Sequence, residues 1–130
     1  MRVLVYSDDA ATREKVRLAL GRRPAADVPL VEIVECATEP AVFKHLDKGG
    51  IDIAVLDGEA QPAGGMGICR QAKDEIYNCP PVCLIIARQD DRWLANWSHA
   101  DAVVAQPIDP MALAEAVADL MRRRAATQLT

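Results

Sequence analysis

Five short apolar runs punctuate this chain: Val3 to Tyr6, Leu30 to Val34, Ile51 to Leu56, Val82 to Ile86 and Ala102 to Ala105. All are rich in Val, Ile or Ala and bounded by turn or charged residues, so they read as buried strands. The segments between them carry helical spacing. Residues Thr12 to Leu20 place Val16, Leu18, Ala19 and Leu20 toward a core, with Gly21 as a stop. Thr38-Glu39-Pro40 opens a second helix, with Pro40 in its first turn, Val42, Phe43 and Leu46 following, and Gly49-Gly50 at its end. A third helix is expected from about Met66 to Ile76 and a fourth from about Asp91 to Ser98. The last starts at the cap Asp109-Pro110 and carries Leu113, Val117, Leu120 and Met121 on one face.

Strands that alternate with helices through short connections make a parallel sheet covered on both faces. Within 130 residues the expected architecture is an α/β, flavodoxin-like, doubly wound three-layer sandwich. Its five parallel strands run in the order 2-1-3-4-5 and are covered by five helices. Residues 1–130 are expected to form a single domain, with no length left for an output domain.

A net charge of −4 argues against non-specific attraction to nucleic acid or to an anionic membrane. The short basic run Arg122-Arg123-Arg124 falls where the last helix would end, and there it complements the helix dipole. No apolar stretch approaches the roughly 20 residues of a membrane helix. The N-terminus lacks the charged region and cleavage site of a signal peptide. Cys36, Cys69, Cys79 and Cys83 form no CxxC pair, and Cys79 and Cys83 have no nearby histidine to complete a zinc set. The expected setting is therefore cytoplasmic and reducing.

Sheets of this kind present their working residues at the carboxyl ends of the strands. Here those ends carry Ser7-Asp8-Asp9, Asp57, Ile86-Ala87 and Gln106-Pro107. Two groups of carboxylates thus converge from distant parts of the chain. Magnesium, which takes oxygen ligands in octahedral array, suits such a cluster. An aspartate beside a divalent ion can also act as a nucleophile toward a phosphoryl group. Taken singly, each acid equally suits a helix start, where capping and the dipole favour it.

These pieces resemble, in order and spacing, a response-regulator receiver domain. The matching segments are Val3 to Asp9 with Arg13, Ile51 to Asp57, Gly65 to Arg70, Pro81 to Arg88 and Ala100 to Pro110. The resemblance implies that Asp57 is the position phosphorylated by a histidine kinase. It also implies a weakly held magnesium ion on Asp8 and Asp57, with Asp9 as a weaker ligand. Four positions depart from the family pattern. Ser7 stands at the first acid of the metal pair and Ile86 at the hydroxyl donor after strand four. Val103 stands at the aromatic switch and Gln106 at the lysine that pairs with phosphate. The family's proline arrives one residue late, as Pro62, in a loop Pro62-Ala63-Gly64-Gly65 that reads as conformationally permissive.

Three functions follow as expectations. The first is a degenerate stand-alone receiver, not an enzyme, that acts through protein contacts with weak or no phosphorylation at Asp57. The second is a working receiver phosphorylated on Asp57. The third is a small flavodoxin-like protein that binds a cofactor such as FMN, which the acidic loop Ser7-Asp8-Asp9-Ala10 fits poorly. For a binding module, Trp93 and Trp97 lie four apart on the fourth helix and share a face, with Trp97 packed inward beside Leu94 as the alternative. In the resembled family the fourth helix, fifth strand and fifth helix form a partner or homodimer face.

Overall fold

The computed structural model describes residues 1–88 and 91–128. Its strands are β1 (Arg2–Tyr6), β2 (Glu32–Cys36), β3 (Ile53–Asp57), β4 (Val82–Ile86) and β5 (Ala102–Ala105). The helices are α1 (Ala10–Leu20), α2 (Glu39–Lys48), α3 (Gly65–Glu75), α4 (Arg92–Ser98) and α5 (Pro110–Gln128). All strand pairs are parallel, in the order β2-β1-β3-β4-β5. Each parallel neighbour has to be reached by a crossover, and α1 to α4 supply the four, while α5 follows the last strand. The expected doubly wound sandwich is the observed fold.

Alternation along the strands divides the core in two. Val3, Val5, Ile53, Val55, Cys83 and Ile85 pack against the α1 and α5 side, with Val16, Leu20, Leu113 and Val117. Leu4, Tyr6, Ala54, Leu56, Leu84 and Ile86 pack against the side of α2, α3 and α4, with Val42, Leu46, Ile68 and Ala95. Side chains two apart share a face, so burial on both faces produces the unbroken apolar runs of the sequence.

Several boundaries differ from the sequence expectation, each for a local reason. β2 begins two residues late because Val31 N–H donates to Arg22 O at 2.8 Å, and Leu30 is left exposed. A shift of two leaves every side chain on its intended face. β3 starts at Ile53 because Asp52 is engaged with Arg2. Arg2 N–H donates to Asp52 Oδ2 and Asp52 N–H donates to Arg2 O, both at 2.9 Å. The strand therefore runs on to include Asp57, which pairs with Ile85. Leu18 is 69 % exposed, because Val16 and Leu20 occupy the inward face of α1 and Leu18 points nearly opposite. The run Arg122-Arg123-Arg124 lies a full turn inside α5, which continues to Gln128, so it does not sit at a helix terminus. Among the described residues no helix is long and apolar enough to cross a membrane.

The four cysteines are free thiols. Burial pushes Cys69 up to about 11 and Cys83 up to about 12 from an ordinary 9.0. A folded-state pKa raised above the unfolded value leaves stability intact below about pH 9 and removes it as pH climbs from there toward the raised values. Between pH 8 and 10.5, Cys83 alone accounts for about 2 kcal/mol of that loss. Urea unfolding of Cys83→Ala at the two pH values is expected to show a correspondingly shallower decline than the wild type. An equal decline would assign the alkaline limb to other groups.

Candidate functional site

The site is fixed by the register of β1 and β3, which sets Tyr6 beside Leu56 and so brings Ser7 up to Asp57. Both residues are buried. Ser7 Oγ accepts the Asp9 N–H at 3.1 Å, and its own proton goes to Asp57 Oδ2 at 2.7 Å. The other carboxylate oxygen, Oδ1, accepts the Glu59 N–H at 2.9 Å. A buried carboxylate has to be hydrogen-bonded, and here each oxygen meets a neutral donor.

The neighbouring acids divide their labour. Asp9 caps α1, its Oδ1 accepting from Ala11 N–H at 2.9 Å and its Oδ2 from Thr12 Oγ at 3.1 Å. Both oxygens serve the helix start, which is the capping alternative open from the sequence. Asp8 is exposed. Arg13, reaching back from α1, donates through Nη1 to Ser7 O at 2.6 Å and pairs with Glu35 at 3.1 Å.

Tyr6, which sequence reasoning passed over, lies beneath this cluster. Its phenol donates to Ala63 O and so ties β1 to the loop between β3 and α3. Burial raises its pKa above the usual value, and the charges of Asp8, Glu39 and Asp57 raise it further. The available signal was a phenol in an otherwise aliphatic strand, since a buried tyrosine hydroxyl requires a partner. The loop that Tyr6 holds is tighter than its glycines suggested. A Cβ on Gly58 would stand 2.6 Å from Ile85 O, and one on Gly65 would stand 2.8 Å from Asp57 O. These glycines permit close approach of backbones, where the sequence suggested freedom.

The remaining positions lie at the ends of β4 and β5. Ile86 is fully buried in the cluster of Leu56, Leu84 and Ala95, with Val103 packed partly against it. Gln106 is half-buried and donates its backbone N–H to Ile86 O at 2.8 Å. An open groove of about 400 Å³ runs beside β5, lined by Arg92, Val103, Ala105, Gln106 and Ala116 among others.

Among the described residues no three acidic, histidine or cysteine side chains converge as a metal cage. Asp8 and Asp57, on adjacent strand ends, offer two carboxylates. That number suits magnesium, which keeps several of its waters. The donor set therefore fits the ion, with Ser7 supplying a neutral oxygen in place of a third charge.

Two response regulatory proteins of Mycobacterium tuberculosis, from strains CDC 1551 / Oshkosh and ATCC 25618 / H37Rv, are each 52 % identical to this chain over 122 residues. Each alignment covers 94 % of this chain and 92 % of the relative. The chain belongs to the response-regulator receiver family. No family model matches it. Its fold is similar to a receiver domain protein from Methanospirillum hungatei JF-1, with a TM-score of 0.75 at 18 % identity over 97 % of both chains. It is also similar to the receiver domain of the Francisella response regulator 1452, with a TM-score of 0.79 at 16 % identity over 94 % of this chain and 97 % of that one.

On this receiver Trp93 and Trp97 are 68 % and 51 % exposed. Ala95 and Ser98 take the inward face of α4, so both indoles point outward. Arg70 of α3 stacks on Trp97, its guanidinium carbon 5.2 Å from the ring centre, and donates through Nη1 to Trp97 O at 2.8 Å. That contact holds one indole flat against the surface. Trp97 thus does not pack inward as the alternative reading allowed.

Ser7→Ala is expected to cost about 1.5 to 3 kcal/mol, because Asp57 Oδ2 would lose the hydroxyl that satisfies it. The shift in urea midpoint measures this, and an unchanged midpoint would show that the bond carries no stability.

Proposed function

We propose that this receiver is a stand-alone, atypical pseudo-receiver in phosphorelay signalling, acting in the cytoplasm through protein contacts with weak or no phosphorylation at Asp57. The observation that carries the reading is the neutral surrounding of Asp57, held by the Ser7 hydroxyl and the Glu59 amide with no ion pair from the described residues. The relatives' similar length supports the single-domain part.

Charge limits what Asp57 can carry. A phosphoryl group carries close to two negative charges. A lysine about 4 Å from one unit of that charge would contribute about 4 kcal/mol at an effective dielectric of 20, before desolvation. Gln106 can return a hydrogen bond of about 1.5 to 3 kcal/mol to a charged acceptor. Ile86 has no donor. With Val103 it replaces the side chains through which the family links phosphate to the α4 face. Magnesium, when held by Asp8 and Asp57, supplies charge neutralisation at the phosphoryl oxygens. Ser7 meanwhile keeps a hydrogen bond on the very carboxylate that would attack.

Incubation with acetyl phosphate and magnesium, followed by intact mass measurement, is expected to show slow, substoichiometric labelling. Rapid, near-complete labelling that vanishes in Asp57→Asn and changes the oligomeric state would establish the alternative, a working receiver served by a histidine kinase.

The contact surface in this reading is α4 with the adjoining β5 and α5; α4 carries the exposed indoles, and its Arg92 lines the groove along β5. A second copy of the receiver is one partner that can be tested directly. Trp93→Ala is expected to leave the melting temperature nearly unchanged and to weaken self-association in sedimentation equilibrium. Unaltered association would move the surface elsewhere.

A further inference from the structure

Arg124 holds an orphaned buried atom: its Nε is buried and meets no hydrogen-bond partner. No ion pair or hydrogen bond from the described residues reaches any other part of its guanidinium. Its neighbours are committed. Arg122 clasps Asp27 through Nε at 2.8 Å and Nη2 at 2.9 Å, and Arg123 pairs with Asp119. A guanidinium keeps its proton throughout the working pH range, so partial withdrawal from water without an anion is a standing cost. Such a group in a folded chain calls for a partner.

The setting says what kind. Arg124 lies at the amino-terminal end of the sheet, away from Asp57. With Asn78 it forms the shared wall of two cavities of about 270 and 280 Å³. Each falls just below the usual range for small-ligand sites, roughly 300 to 1,000 Å³. Leu46, Ile51 and Ile76 give the first an apolar lining, with the exposed Tyr77 beside them. The second brings in Lys73 and Arg123.

Asn78 has a left-handed backbone, φ 55°, a conformation asparagine tolerates. Lys73 is neutralised by Asp101 at 2.7 Å, which leaves Arg124 as the uncompensated charge of the cavity wall. The carbonyl ends of α2 and α3 lie nearby, and their caps engage some of these carbonyls. Gly49 N–H bonds His45 O and Leu46 O, and Ile76 N–H bonds Ala72 O.

We infer that this double cavity binds a small organic anion, its carboxylate or phosphate on Arg124 and its apolar body against Leu46, Ile51 and Ile76. The test titrates phenyl phosphate, benzoate, inorganic phosphate and benzyl alcohol into the ¹⁵N-labelled full chain. It follows the amides of Gly49, Gly50 and Asn78 and the Arg124 Nε–H. The ring-bearing anions are expected to shift these signals saturably, with inorganic phosphate and benzyl alcohol binding about tenfold or more weakly.

Arg124→Met keeps the stem and removes the charge. It is expected to lower affinity about tenfold or more, the loss of one charge-assisted hydrogen bond. Without ligand it is expected to melt above the wild type, since the orphaned charge is gone. Arg124→Gln takes its place should the methionine variant not fold. Absence of any shift with the anions would overturn the assignment. So would equal binding of benzyl alcohol or inorganic phosphate, or unchanged affinity with a lowered melting temperature once Arg124 is replaced.

Discussion

The pairing of β1 with β3 decides what this receiver can do at its working end. The two strands are about fifty positions apart in sequence, and their register, Val3 beside Ile53 through Tyr6 beside Leu56, leaves one outcome where they stop. Ser7 meets Asp57. Sheet interiors buried on both faces tolerate no unpaired polar group, so the strand ends are where polarity is admitted. Everything else at the site attaches to that meeting. The Asp9 amide orients the Ser7 hydroxyl, the Glu59 amide takes the second carboxylate oxygen, and Tyr6 fastens the loop that follows.

On the proposed reading, a site built this way favours a single resting arrangement. Switching requires two arrangements separated by a few kcal/mol, with an input that prefers one of them. In this receiver Ile86 is apolar and buried, Val103 is apolar and partly buried, and Gln106 is uncharged. Ile86 is enclosed by Leu56, Leu84 and Ala95, and the loop after Asp57 runs so close to β4 that Gly58 leaves no room for a side chain. What the surface offers in exchange is constant: two outward indoles on α4, one of them pinned by Arg70.

Much of the fold was legible because each signal was redundant. The five runs gave strands, and Thr38 with Pro40 and Asp109 with Pro110 gave helix starts that the structure keeps. The acids and the positions departing from the family pattern could be placed because strand ends follow from strands. Four features were not legible. Leu18 reads as core in a list of apolar residues, and only the burial of Val16 and Leu20 on one stripe shows that it faces water. Gly64 and Gly65 signalled freedom, yet they serve contact with Gly58 O and Asp57 O, partners that no local pattern names. The hydroxyl of Ser7 could be recognised as a missing acid, but its bond to Asp57 depends on register across fifty residues. Arg124 looked like one of three equivalent cations until the partners of the other two were seen.

The most direct test of this account restores together the three departed positions that would face metal or phosphate. A Ser7→Asp, Ile86→Thr, Gln106→Lys variant is incubated with acetyl phosphate and magnesium beside the wild type, and phosphorylated mass is followed over time. If neutral and apolar substitutions are what silence Asp57, the variant gains labelling that Asp57→Asn abolishes, and the wild type stays nearly unlabelled. Equal, rapid labelling of both proteins would contradict the account at its centre.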